Sequence, residues 1–144
     1  MKIVLTVLTI IWMIVIFMFS NSPADKSSDL SNSLIKNTIV RIVKIFNKDV
    51  NEEDLINKMS TPVRKLAHFT EYTILGILLF LTLKQYGINN KWIAILGCMI
   101  YASTDEIHQL FIDGRGGNII DVFIDTLGSS FGVFITIMFN KIFH

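Results

Sequence analysis

Apolar residues dominate four stretches of the chain, at about residues 3–19, 62–83, 91–111 and 118–139, and a longer polar insert separates the first from the second. A helix rises about 1.5 Å per residue, so some 20 mostly apolar residues are needed to cross the roughly 30 Å hydrocarbon core of a bilayer. Each stretch is of that order. The pattern therefore predicts an all-α integral membrane bundle of about four transmembrane helices in a single domain over residues 1–144. The connections at 84–90 and 112–117 are short, which makes neighbouring helices antiparallel. Lys2 before the first stretch and Ser20-Asn21-Ser22 after it also resemble a signal peptide and its small-residue cleavage site. The apolar run is longer than a usual signal core, and a retained anchor is the preferred reading.

Local signals refine these boundaries. Thr61 followed by Pro62 reads as an N-cap with proline at the first helical position, which starts the second helix near residue 62. Gly116-Gly117 ends the turn before the last helix. Asn118 with Asp121 three residues on has the spacing of a capping box. Within that helix Gly128 and Gly132 form a GxxxG pair that lets a neighbour approach closely, more simply inside the bundle than in a dimer.

The insert, residues 20–61, divides in two. Residues 20–33 are rich in Ser, Asn and Asp and read as a loop with turns. Over residues 34–48 a helical wheel puts Ile35, Ile39, Ile42, Val43 and Phe46 on one side and Lys36, Arg41, Lys44 and Lys48 on the other. Two readings fit: a helix lying in the membrane interface, or one packed over the mouth of the bundle. Asn51-Glu52-Glu53-Asp54 then suits the first turn of another short helix.

Composition agrees with a membrane as solvent: 51% of residues are hydrophobic, 17% charged, and mean hydropathy is +0.54. A net charge of +1 without a basic, aromatic segment argues against a nucleic-acid partner and leaves membrane lipid as the expected one. The single cysteine, Cys98, lies in an apolar run and reads as a buried thiol, outside any disulfide or thiolate metal site within the chain. With both termini cytoplasmic, Lys2, Lys84, Lys91 and Lys141 lie inside and the insert outside. The insert's own Lys and Arg count against that arrangement, yet N-in and C-in is the expected topology.

Candidate chemistry sits where polar residues invade the apolar stretches. Helical spacing puts His68 beside Glu71 and Tyr72, with Arg64 one turn above and Lys65 next to it. Asp105 and His108 share a face near the end of the third helix, Glu106 and Gln109 the next. Asp121 and Asp125 stack at the start of the fourth, shortly after Arg115. In an antiparallel bundle these segments meet at one membrane face. Ionisable groups cost about 2.5–3.5 kcal/mol each at a helix centre, less near the interface, so they face a polar cavity or one another. Structural roles stand beside functional ones: Arg115 as ion-pair partner of Asp121 or Glu106, Asp125 as an interhelical bond, Tyr72 as an interfacial anchor. Arg64 and Lys65 open the expected second helix, where cations are unfavourable unless an anion binds or a carboxylate pairs with them.

These motifs resemble the VanZ-like family of small multi-pass bacterial membrane proteins. Arg64-Lys65-Leu66-Ala67-His68-Phe69-Thr70-Glu71-Tyr72 is similar to its RKxxHFxEY signature, Asp105-Glu106-Ile107-His108-Gln109 to its DExHQ signature, and Gly114-Arg115 with Asp121, Asp125 and Gly128 to its third. The chain departs at Asn21-Ser22, where many relatives have Ser-Gln. The resemblance implies a bacterial cell-membrane protein with an extracytoplasmic site and an association with low-level teicoplanin resistance. It names no reaction.

Two functional classes follow. The first is a module that binds or modifies an anionic or lipid-linked cell-envelope ligand, received by Arg64, Lys65 and Arg115. The second is a membrane hydrolase of a phosphate or acyl group, with His68 or His108 as acid or base and the carboxylates orienting it or holding a metal. No HExxH spacing, GxSxG elbow or nucleotide loop is present, and no metal or other cofactor is expected.

Overall fold

The computed structural model describes residues 1–46 and 50–142, and every regular element among them is helical. Helix α1 covers Lys2–Ser20. Helix α2, Ala24–Leu34, continues through a π-helical segment, Ile35–Val40, into α3, Arg41–Phe46. Then come α4, Glu52–Gln85, α5, Lys91–Gln109, and α6, Ile119–Ile142.

Three helices are long and apolar enough to cross a membrane: α1, α4, and α6 over Ile119–Lys141. Helix α5 has 19 residues, as many as α1, but Asp105, Glu106 and their polar neighbours dilute its last turns. It is the fourth helix of the bundle. Large apolar side chains stand exposed along α1, α5 and α6, including Ile10, Ile14, Leu96, Ile100, Phe123 and Phe134, as lipid-facing surfaces require.

Polar and small residues join the helices, because apolar side chains gain little by leaving lipid for each other. Helix α1 runs antiparallel to α4: Thr9 and Thr82 share a buried hydroxyl bond of 2.9 Å, and Trp12 Nε1 donates to the Glu71 carbonyl at 2.9 Å. Tyr101 of α5 donates to the Met13 carbonyl at 2.7 Å. Helices α4 and α6 run parallel at close range. A Cβ on Gly128 or Gly132 would fall inside contact distance of the Phe69 or Thr73 carbonyl oxygen, and one on Gly76 would meet the Ser129 backbone. The expected small-residue pair thus packs within the bundle. Ile16, Tyr72, Leu75, Cys98 and Ala102 form a buried core between α1, α4 and α5, and Cys98 is a buried free thiol.

Four sequence expectations are corrected. Helix α4 starts ten residues before Pro62, which lies inside it rather than at its start. The cap is Asn51, not Thr61. Asn51 Oδ1 accepts from the N–H groups of Glu53 at 3.1 Å and Asp54 at 3.3 Å, and three acidic residues suit the first turn's partial positive charge. The acidic first turn was legible; its continuity with the second span was not.

Secondly, residues 24–34 are helical rather than a loop. Pro23 enters with ψ 152°, Asp25 occupies the first turn, and the Ser31 hydroxyl returns to the Ser27 carbonyl at 3.0 Å. Packing on α4 overrides weak helical propensity. Thirdly, the amphipathic segment divides its apolar side chains. Ile35 and Val40 are buried against the bundle, whereas Ile42, Ile45 and Phe46 are exposed. The π-helical turn shifts the register, so Ile42 and Phe46 leave the face that a regular wheel assigns them. Lys44 pairs with Glu52 at the start of α4, and Lys48 lies outside the described residues.

Fourthly, the capping box at α6 is half-formed. Asn118 Oδ1 accepts from the Ile120 N–H at 3.0 Å, but the Asn118 N–H donates to Glu106 Oε2 at 2.8 Å instead of to Asp121. A carboxylate from α5 reaches this donor, leaving shorter Asp121 to Lys65.

Candidate functional site

The α4 residues 64–72, the end of α5, the α5–α6 connection and the first turns of α6 meet at one end of the bundle, where α1 also ends. Gly114 turns this connection with φ +72°, a left-handed conformation that glycine adopts without strain. Next to it the Arg115 N–H returns to the Ile112 carbonyl at 3.0 Å, and a guanidinium N–H donates to the Phe19 carbonyl at 3.1 Å. Arg115 thereby ties the turn to the end of α1.

Most carboxylates here have a partner. Lys65 Nζ lies 3.3 Å from Asp121 Oδ1. Gln109 Nε2 donates to Asp105 Oδ2 at 3.2 Å and to Glu106 Oε1 at 3.3 Å, so one amide spans both acids. Asp125 is fully buried, and its Oδ1 lies 3.7 Å from His68 Nδ1. That distance is an electrostatic contact, longer than a hydrogen bond.

His68 and His108 do not take the partners that spacing along their own helices suggests. His68 turns across to Asp125 of α6, away from the expected pairing with Glu71. His108 turns outward, with Nε2 3.2 Å from Asn21 Oδ1 and its ring centroid 4.7 Å from that of Phe17. Helical spacing identifies a shared face; it does not say what that face meets. Tyr72 is buried with its ring against Tyr101, which corrects its alternative reading as an interfacial anchor.

Several buried polar atoms have no hydrogen-bond partner: His68 Nδ1, Tyr72 Oη, Asp105 Oδ1, both Asp125 oxygens and Ser20 Oγ. Ser20 is turned toward Asp105 without closing a bond of ordinary geometry. Ser20 and Asn21 are the residues that sequence reasoning left unassigned. The polar Ser-Asn-Ser end of an apolar helix was the available signal, and only the fold brings that end to α5.

Two adjoining cavities open among these residues. One of about 280 Å³ lies beneath α2, lined on its polar side by Ser20, Arg64, His68, Glu71, Asp105 and Arg115. The other, of about 150 Å³, is lined by Arg64, His68, Gln109, Arg115, Asp121 and the glycines of the connection. Arg64, His68 and Arg115 belong to both. Burial lowers the Arg115 pKa from its ordinary value and the nearby positive charge of Arg64 lowers it further, against the opposing pull of Asp105, Glu106 and Glu71. Neither arginine is in an ion pair among the described residues. Nor do any three His, Cys, Asp or Glu side chains among them form a group suited to holding one metal ion.

Membrane-length helices whose charged residues converge at one end of the bundle define a multi-pass membrane protein. The VanZ/LLP1 family model matches residues 5–140, nearly the whole chain, and the protein belongs to that family. Neither a curated protein nor a solved structure matches it.

Proposed function

We propose that the protein binds a phosphate-bearing, anionic cell-envelope ligand between Arg64 and Arg115. The observation that carries this reading is that Arg64 and Arg115 together line both cavities, with neither in an ion pair among the described residues. Like charges repel, and an anion between them reverses the sign of that interaction while accepting hydrogen bonds from both. None of the neighbouring acids forms an ion pair with either arginine among the described residues: Lys65 engages Asp121, Gln109 spans Asp105 and Glu106, and Glu71 lines the larger cavity beside both.

Binding of a phosphate lipid in nanodiscs should fall about 10–100-fold on Arg64→Ala or Arg115→Ala, since hydrogen bonds to charged groups contribute about 1.5–3 kcal/mol. Lys65→Ala should cost much less because Lys65 already serves Asp121. Undiminished binding in both arginine variants would reject the anion site. In a cellular setting, family membership suggests an extracytoplasmic site and a contribution to teicoplanin tolerance. That tolerance should rise on expression of the wild type and not of Arg64→Ala.

A second reading, hydrolysis of a phosphate ester, is favoured by the proximity of His68 to buried Asp125. A carboxylate behind Nδ1 suits a histidine whose other nitrogen exchanges protons with a substrate. His68 would take a proton from the attacking water as its oxygen adds to phosphorus, the ester P–O bond would break, and the departing alkoxide would take that proton back from His68. His68→Gln should then abolish phosphate release while sparing lipid binding. Absence of release by the wild type would remove this reading and leave the binding site standing.

A further inference from the structure

The larger cavity continues sideways into an apolar groove of about 410 Å³ between α1 and α4, with which it shares Phe19, Val63, Ala67 and Glu71. Trp12, Leu66, Thr70 and Ile74 complete the groove. Apart from the Glu71 carboxyl where it joins the larger cavity, its polar groups are satisfied within the protein. Thr70 donates back to the Leu66 carbonyl at 2.8 Å, and the Trp12 indole donates to the Glu71 carbonyl at 2.9 Å. The successive linings therefore change from the glycines, Gln109 and Asp121 beside the arginines to hydrocarbon between two helices long and apolar enough to span a bilayer.

A soluble anion would use only the polar part of this path. An amphiphile uses all of it, because the charged head and apolar chain each meet matching surroundings without crossing the other's. Resting on the proposed anion site, we infer that the ligand is a membrane lipid entering sideways, its phosphate-bearing head between Arg64 and Arg115 and its hydrocarbon chain in the α1–α4 groove. The continuity of groove and cavity singles out the bound lipid's own chain as the occupant, rather than a partner helix.

Trp12 lies in the groove, and the second tryptophan, Trp92, is exposed near the start of α5. In the full chain carrying Trp92→Phe, Trp12 fluorescence is read in phosphatidylcholine nanodiscs containing equal amounts of chain-brominated phosphatidate or chain-brominated phosphatidylcholine. Calorimetry with inorganic phosphate tests the anion site separately. The brominated phosphatidate should quench Trp12 several-fold more than the brominated phosphatidylcholine. That preference should vanish in Arg64→Ala, in Arg115→Ala and in Val63→Phe, which fills the groove. Ala67→Phe provides an independent block if Val63→Phe does not fold, and the wild-type comparison needs neither.

Equal quenching by the two lipids, with arginine-dependent phosphate binding retained, would overturn the chain groove and leave the anion site. Equal quenching without phosphate binding would overturn both. A preference that survives both arginine substitutions would overturn the inference that head and chain belong to one clamped lipid.

Discussion

Individual residues here do work that their type alone does not reveal. Gly128 and Gly132 are opposed by backbone carbonyls of α4, groups that cannot rotate away as a side chain can. Gly128→Leu or Gly132→Leu should therefore cost about 2–3 kcal/mol, toward the upper end of ordinary overpacking. Gly116→Ala, whose Cβ would meet nothing within 4 Å, should stay within about 0.5 kcal/mol. Denaturant titration in detergent micelles checks the contrast, and equal losses would mean that α4 and α6 do not approach as described. The polar residues were legible because charges inside apolar stretches are conspicuous, and antiparallel helices brought their segments to one end. Their partners were less legible. Gln109 lies one turn from both acids it bonds, whereas His68–Asp125 joins helices separated by the whole of α5.

At the scale of elements, apolar stretches were easy to read and the polar helices between them were hard. Hydrophobic runs report burial in lipid, but residues 24–34 gain helicity from packing against α4. Proline misled for a related reason. Pro62 suits a helix start, but a capped and packed helix accommodates it internally, without an N–H to bond Lys58. Pro62→Ala should restore that donor, slow exchange of nearby amides and raise stability by up to about 3 kcal/mol. Asn51→Ala should do the reverse at the cap, costing about 1 kcal/mol and accelerating exchange at Glu53 and Asp54. Hydrogen exchange followed by mass spectrometry reads both. Unchanged protection around Pro62 in the alanine variant would show that the proline sits there without disturbing the ladder.

For the whole molecule, helix direction constrains topology more firmly than charge counting does. Helix α1 lies antiparallel to α4, α5 returns beside them, and α6 runs parallel to α4, so the start of α1, the α4–α5 turn and the end of α6 share one end of the bundle. Lys2 Nζ stands 5.7 Å from the Tyr86 ring centroid, and Lys84, Asn89 and Lys141 line one small cavity there. The proposed site occupies the opposite end. Helix α4, with 34 residues, is about 51 Å long, more than a bilayer core requires, so its Glu52 end and α2 have room to project beyond the hydrocarbon on the site's side. A reporter inserted at Asn89 and another fused to the C-terminus must therefore give the same answer, whichever way the bundle is inserted. Both should read cytoplasmic, because Lys2, Lys84, Lys91 and Lys141 then stay inside and the site opens outward. Opposite readings would break the helix order described above, whereas two external readings would keep the bundle, invert it and place the arginine pair on the cytoplasmic leaflet.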